Sequence, residues 1–347
     1  MFSRHPEVRA IFPPMMDIQR DRFLVALGRI VAGAARPQAL GRYLAGLARD
    51  HRKHGVRPEH YDAVGGCLLA TLREHLGEGW DERVERAWVT AYQHVSSVMI
   101  AASEEADVHA PPYWTARVVE HELRTPDIAV ITVLPDAPYP FRPGQHATLM
   151  TARWPRVWRP YSIANAPRPD QALTFHVRVV PGGWVSTALA HHTAVGDTLR
   201  LGPPMGQFGA IAPTPGSLVC AAGGTGLAPI KSIIEETIAQ PSRPTVELFF
   251  GARTGQELYD LSDLMRLSQR HGDMHLVTTV SAGAGPDGSR TVADALAGRK
   301  LGTEDTVLLC GSAAMVRATH DRLLRMGVPR TSINFESGDA PAVASRT

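Results

Sequence analysis

Arg159, Tyr161 and Ser162, in the run Trp158-Arg159-Pro160-Tyr161-Ser162-Ile163-Ala164-Asn165, are residues whose types and spacing could do chemistry together. An arginine can fork onto a phosphate. A tyrosine can lie flat on a heteroaromatic ring such as isoalloxazine, and a serine hydroxyl can donate to a ring heteroatom. Asn165 closes the run. Further along, Ala222-Gly223-Gly224-Thr225-Gly226-Leu227-Ala228-Pro229 has the make-up of a phosphate turn. An apolar stretch, Leu218-Val219-Cys220-Ala221, runs into glycines and then into a segment that reads as helix. Backbone N–H groups at a helix N-terminus can there meet a pyrophosphate.

The elements that must position these residues are legible around them. Short β-rich runs at 114–122, 128–133, 145–151, 159–163 and 173–180 are separated by turns at 135–143 and 167–170. Regular spacing of this kind predicts a small antiparallel β-barrel. Arg178-Val179-Val180-Pro181-Gly182-Gly183-Trp184-Val185-Ser186 then ends a strand in glycines and opens a helix. The amides near Val185 and Ser186 would face a second pyrophosphate; taken alone, Gly182-Gly183 reads as a hairpin-like turn. From Gly216 onward strands and helices alternate, and continuous apolar strands such as Val307-Leu308-Leu309-Cys310 suit a parallel sheet covered on both faces. Ligands of such sheets sit at the carboxyl ends of the strands. The glycine turn, Gly251-Ala252-Arg253 and Cys310-Gly311-Ser312 all fall there, whereas Cys220 reads as core.

In this order the two motifs resemble the ferredoxin-NADP reductase superfamily, with its Arg-x-Tyr-Ser and Gly-Gly-Thr-Gly-x-x-Pro signatures, over residues 113–336. The resemblance implies FAD held by Gln145, Arg159, Tyr161, Ser162, Asn165, Arg178, Gly183, Val185 and Ser186. It implies a nicotinamide nucleotide held by Gly223, Gly224, Thr225, Gly226, Pro229 and Arg253, with Cys310, Gly311 and Glu336 near the flavin–nicotinamide contact. His146 stands where relatives usually have an aromatic, and no aromatic shield follows Glu336, Phe335 being offset by two positions. The strand end Thr278-Thr279-Val280-Ser281 runs into Ala282-Gly283 without an arginine for a 2′-phosphate, so NADH is favoured over NADPH; Arg253 fits either nucleotide.

Ahead of this module the pattern is helical, with amphipathic segments at 16–34, 38–54, 58–76 and 81–106 and breaks at Pro37, Gly55/Pro58 and Gly77/Gly79. Asp50-His51-Arg52-Lys53-His54-Gly55-Val56-Arg57-Pro58-Glu59-His60-Tyr61 places a histidine near a helix end, then a turn, then an aromatic. That layout can ligate haem iron. The plainer reading is that helical histidines beside Lys and Arg are solvated. Phe2-x-x-His5-Pro6-Glu7, Ile11-Phe12-Pro13, Gln19, His51, Pro58-Glu59-His60-Tyr61 and Ala87-Trp88-x-x-Ala91-Tyr92 together resemble a bacterial globin. A globin followed by a flavin reductase resembles the flavohaemoglobins. The resemblance implies His51 as the haem iron ligand, Tyr61 and Glu105 hydrogen-bonding around it (Glu104 competes with Glu105), Gln19 in the distal pocket and Phe12 wedging the haem. It also implies that the chain starts inside the family's second helix, with the distal tyrosine before Met1, so haem b retention is the property to test.

The expected fold is therefore multidomain: an incomplete all-α globin-like domain at 1–107, a linker at 108–112, an antiparallel β-barrel FAD domain at 113–212, an α/β parallel-sheet NAD(P) domain at 213–337 and a disordered tail at 338–347. A net charge of +2 on 347 residues argues against a nucleic-acid partner, and no apolar run approaches the ~18 residues of a membrane span. The cytoplasm is the default compartment. Three separated cysteines, Cys67, Cys220 and Cys310, make neither a disulfide framework nor a zinc or iron–sulfur pattern. The expected function is electron transfer from NAD(P)H through FAD to haem iron, with O2 and nitric oxide as small-molecule partners and nitrate as product. Alternatives are a haem-free NADH:flavin reductase serving another acceptor, and an oxygen-binding or sensing globin. The oligomeric state stays open.

Overall fold

The computed structural model describes residues 1–210, 216–282 and 291–337, which divide into two units. One takes Met1–Trp114 with Ala152–Trp158 and Arg200–Pro203; the other takes Thr115–Thr151, Arg159–Leu199 and the described residues from Pro204 onward. The expected domain limit at 212/213 and the expected tail at 338–347 lie outside the described residues.

The first unit is built from α1 (Asp17–Gly33), α2 (Pro37–Arg52), α3 (Pro58–Leu76) and α4 (Glu82–His109). Proline opens α2 and α3, where its missing N–H leaves no intrahelical bond unmade. Asp81 Oδ1 accepts from Val84 N (2.7 Å) to cap α4. The spacing that predicts helices also predicts their packing. Leu44 and Ala48 of α2 bury against Met99 of α4, with Leu40, Tyr43, Leu47, Tyr61, Val95, Val98 and Ala102 around them. Arg52 ties α2 to the end of α4 through Asp107 (2.8 Å) and the Ala110 carbonyl. The helix runs through residues 108 and 109, expected as linker, because Pro111 and Pro112 end it only beyond Ala110, whose N–H still reaches the Ala106 carbonyl (3.0 Å).

The barrel sheet comprises β1 (Trp114–Thr125), β2 (Ile128–Pro135), β3 (His146–Thr151), β4 (Arg159–Ser162), β5 (Leu173–Arg178) and β6 (Thr198–Leu201), in the order β4-β3-β6-β1-β2-β5. An antiparallel bridge between Ile163 and Phe175 brings the two edges together, so the barrel is nearly closed. Helix α5 (Trp184–His191) packs Val185, Ala188 and Leu189 inward. The strand β6 has only Leu199 and Leu201 as buried apolar positions and was not anticipated.

The parallel sheet is ordered β11-β10-β7-β8-β9 from β7 (Leu218–Gly223), β8 (Val246–Ala252), β9 (Met274–Val280), β10 (Thr306–Gly311) and β11 (Ile333–Ser337). Helices α6 (Leu227–Ala239), α7 (Leu261–Arg270), α8 (Val292–Ala297) and α9 (Ala313–Arg325) connect them. Alternate residues face opposite cores: Cys220, Ala222, Leu248 and Leu308 one way, Val219, Ala221, Phe249 and Leu309 the other. This is why the strands read as unbroken apolar runs. The chain departs from β7 to β8 on one side and returns to β10 on the other, leaving a crevice at the carboxyl ends of β7 and β10.

Candidate functional site

Two loops converge on that crevice. The end of β7 turns through Gly224–Gly226 into α6, and β10 ends in Cys310-Gly311. Gly224 has φ +54°, a backbone region that glycine enters without strain, and a side chain there would come within 3.2 Å of the Arg178 guanidinium. A Cβ on Gly226 would lie 2.5 Å from the Cys310 carbonyl. Glycine at 226 is therefore dictated by the approach of β10. Thr225 lies in the turn and Pro229 is buried in the first turn of α6. Met315, which no motif signalled, fills the space where side chains on Gly223 and Gly311 would be.

The charges around the turn come from both sheets. Arg178, at the end of β5, stands 3.7 Å from Asp127 and 4.0 Å from Glu257. Arg253 follows β8 and reaches the same Glu257 oxygen at 3.2 Å. Behind them a buried network joins barrel to parallel sheet. Asp260, 0% exposed, accepts from Arg124 of β1 (3.2 Å) and Lys231 of α6 (2.9 Å), and Asp263 takes the other arm of Arg124 (3.0 Å). His176 Nδ1 lies 2.7 Å from the Tyr259 hydroxyl, and the Ser232 hydroxyl donates to the Asn165 carbonyl (2.8 Å). Burial pushes the Asp260 carboxyl up from its ordinary value while Lys231 and Arg124 pull the other way. These side chains hold the two sheets in one register.

On the barrel, Arg159 and Tyr161 occupy β4 at its edge, opposite Leu149 and Ala147 of β3. Burial raises the Tyr161 hydroxyl. Ser162 is half-buried and its hydroxyl has no hydrogen-bond partner among the described residues. Gln145 and Asn165 differ from expectation, since their amides are engaged within the fold. Arg142 N donates to Gln145 Oε1 (2.8 Å), and Gln145 Nε2 donates to the Gly206 carbonyl (3.1 Å). Asn165, 0% exposed, donates to the carbonyls of Ala166 (2.7 Å) and Ala172 (3.0 Å) and accepts from Thr174 N (2.7 Å). Asn165 is a staple of the barrel and presents no side-chain group to a cofactor. The Ser186 hydroxyl likewise donates to the Gly183 carbonyl (2.9 Å), leaving the first-turn amides of α5 as the groups able to meet an anion. An unpartnered hydroxyl, the Arg159 guanidinium and these amides fit a flavin with its phosphates. Glu336 pairs in register with Cys310 across β10 and β11, and burial raises both the carboxyl and the thiol.

The helical unit is separate. His51 sits in the last turn of α2, with Nδ1 2.7 Å from the Leu47 carbonyl. Burial lowers its pKa and pushes that of His54 down to about 4, so both rings are neutral at pH 7. An Nδ1–H donated to that carbonyl would leave Nε2 as a lone pair able to ligate haem iron. Tyr61 packs against the Leu44, Ala48 and Met99 core of this unit. Glu105 does not join them: it is exposed on α4, as is Glu104, and the ring's partner is the Leu47 carbonyl. Gln19 is half-buried on α1, and Phe12 stacks edge-on with Phe2 at 5.4 Å. Phe23, Leu24, Val25 and Val31 of α1 are exposed.

Comparisons with known proteins agree with this division. Residues 1–99 match the globin family model, 115–209 the oxidoreductase FAD-binding domain and 220–321 the oxidoreductase NAD-binding domain. The chain is 32% identical to the ferredoxin–NAD(P)+ reductase component of the naphthalene 1,2-dioxygenase system of Pseudomonas putida, over 79% of this chain and 87% of that protein. It is 28% identical to a flavohemoprotein of Rhizobium meliloti (strain 1021) over 97% of this chain and 90% of the relative. The fold is that of the flavohemoglobin from Malassezia yamatoensis solved with FAD and heme, with TM-score 0.77 at 19% identity, covering 97% and 91% of the two chains. No helix among the described residues is long and apolar enough to cross a membrane. A globin domain followed by FAD-binding and NAD-binding oxidoreductase domains, in a chain that aligns along nearly its whole length with flavohemoproteins, places this FAD-dependent NAD(P)H oxidoreductase in the flavohaemoglobin family.

Proposed function

We propose that the chain is a cytoplasmic nitric oxide dioxygenase, converting nitric oxide and O2 to nitrate at the expense of NADH. The observation that carries the reading is the coexistence of His51, its Nδ1 against the Leu47 carbonyl, with a barrel sheet and a parallel sheet of reductase type in one chain. When bound, the flavin turns a two-electron hydride into single electrons and haem iron binds O2; that is the chemistry the cofactors supply. The protein's part is to hold and tune. Arg159 and the α5 amides take the flavin's phosphates, Tyr161 covers its ring and Ser162 donates to a ring heteroatom. The 223–226 turn takes the nucleotide's pyrophosphate, and Arg178, which the resemblance puts at the flavin, overhangs that turn and joins it there. Glu336 and Cys310 line the approach of the nicotinamide. His51 ligates from α2, and Tyr61 packs against the apolar core of that unit.

The experiment is an absorption spectrum of the chain expressed with haem precursor, followed by nitric oxide consumption. A Soret band that shifts on reduction with CO, and nitrate forming in step with NADH oxidised, are the expected results. Nitric oxide binding without nitrate would leave an oxygen-binding or sensing globin. Flavin bands alone would favour a second reading, a reductase for another acceptor. The exposed position of Glu105 and the likeness to the Pseudomonas putida reductase component support that second reading.

NADH is the proposed electron donor. Among the described residues the end of β9 offers Thr278, Thr279 and Ser281 but no arginine, and Arg253 is engaged by Glu257. Gly283 lies outside the described residues. Kinetics with both nucleotides should give the higher kcat/KM for NADH, by about tenfold or more, the effect of one unmatched phosphate charge. A higher kcat/KM for NADPH would refute the assignment.

A further inference from the structure

Glu257 lies in the short turn Gly255–Glu257 that follows β8. One of its oxygens, Oε2, serves two arginines from two different sheets, at 3.2 Å from Arg253 Nε and 4.0 Å from Arg178 Nη2. Arg178 overhangs the glycine turn, since its Nη2 is the atom that a Cβ on Gly224 would meet first. Asp127 supplies a second carboxylate to Arg178 at 3.7 Å and is itself anchored by the Thr125 hydroxyl (2.8 Å). Two guanidinium groups and two carboxylates thus surround the place where a pyrophosphate would sit. Their charges nearly cancel.

We infer that Glu257 is a resident counter-ion of the nucleotide phosphate site, which occupies Arg253 and Arg178 until the dinucleotide takes its place. This rests on reading the 223–226 turn as the nucleotide's phosphate turn. The ion pairs are of a kind that exchanges readily. Arg253 is 72% exposed, and the contact to Arg178 is at the outer limit of an ion pair. A pyrophosphate offers the arginine fork bidentate oxygens, which a single carboxylate oxygen does not. Asp127 stays on Arg178 and keeps it over the turn. Glu257 therefore works against nucleotide affinity and speeds release of the oxidised nucleotide, while sparing the arginines from facing the crevice unpaired. A merely structural glutamate has the opposite signature, because removing it would let Arg178 drift and weaken binding.

The test is Glu257→Gln, with Glu257→Ala as a second variant, each purified with flavin and compared with the wild-type chain by unfolding midpoint. NAD+ is the probe, titrated by calorimetry at low and high salt, with inorganic pyrophosphate as competitor and steady-state NADH oxidation alongside. Both variants should bind NAD+ about 3- to 10-fold more tightly, as expected for one partly exposed charge. Their binding should depend more steeply on salt, and KM for NADH should fall without a matching rise in kcat. Adding Arg253→Gln to Glu257→Gln should remove much of the gain. An unchanged or weaker NAD+ affinity in folded, flavin-loaded variants overturns the inference. Absence of NAD+ binding by the wild-type chain would instead remove the phosphate-turn reading, and this inference with it.

Discussion

Replacing His51 by alanine is expected to abolish haem retention by the helical unit while leaving the flavin spectrum and NADH-driven reduction of a soluble dye intact. The expectation follows from what holds the ring. Nδ1 meets the Leu47 carbonyl at 2.7 Å, burial keeps the imidazole neutral, and no other group among the described residues competes for Nε2. Haemin mixed with the wild-type chain and passed over gel filtration should carry a Soret band with the protein peak, and His51→Ala should lose it. Equal haem in both would displace the ligand assignment to another residue. The same burial has a pH consequence. The folded pKa values of His51 and His54 lie below the ordinary histidine value of 6.5, that of His54 at about 4. The unfolded chain therefore binds protons first as pH falls, so these rings contribute stability above pH 6.5 that is lost on acidification towards pH 4. His51→Ala should flatten part of that slope.

The second large effect is expected at Asp260. Asp260→Ala should destabilise the reductase module by about 3–5 kcal/mol, the cost of breaking a buried ion pair from one side. The raised carboxyl shows that charge at this depth is costly in itself. What alanine leaves behind is worse: Lys231, largely buried, loses its carboxylate partner, while Arg124 keeps only Glu122 and Asp263. Asp260→Asn, which keeps the shape and one of the two acceptor oxygens, should lose less. The observable is the midpoint of flavin release on heating or in urea. Because Arg124 belongs to the barrel and Lys231 to the parallel sheet, the alanine variant should also slow flavin reduction at saturating NADH. A midpoint unchanged within error would mean that water already reaches the network.

Much of this architecture was legible because it is local. Apolar residues at helical spacing, with Pro37, Gly55 and Gly77 as punctuation, located the four helices to within a few residues. The glycine turn was legible because strand, glycines and helix are contiguous. The flavin strand was legible for the same reason. What escaped depends on distance or phase. Strand β6 has two buried apolar residues, too few for a pattern, and β11 is recognisable only beside β10. Glu105 rests on the globin resemblance, with Glu104 as its competitor; each residue turns a helix by about 100°, so matching a motif along α4 does not fix which carboxylate faces the core, and both are exposed. Asn165 belongs to the flavin motif by resemblance, yet its partners Ala172 and Thr174 lie across a turn that gives no sign of claiming it. Glu257 and Asp260 matter through arginines on a distant strand, and no spacing rule links them.

The crevice between β7 and β10 has a consequence for the lifetime of the molecule. It is made by two halves of one sheet, β7-β8-β9 and β10-β11, which meet along a single pair of strands. A dinucleotide bound, as proposed, at the 223–226 turn and the end of β10 would touch both halves. Occupancy then opposes every opening of that seam, and at a concentration one hundred times its Kd it adds about 2.7 kcal/mol to the closed form. The supply of nicotinamide nucleotide would thus govern proteolytic survival as well as turnover, and a starved cell would lose the protein sooner than a fed one.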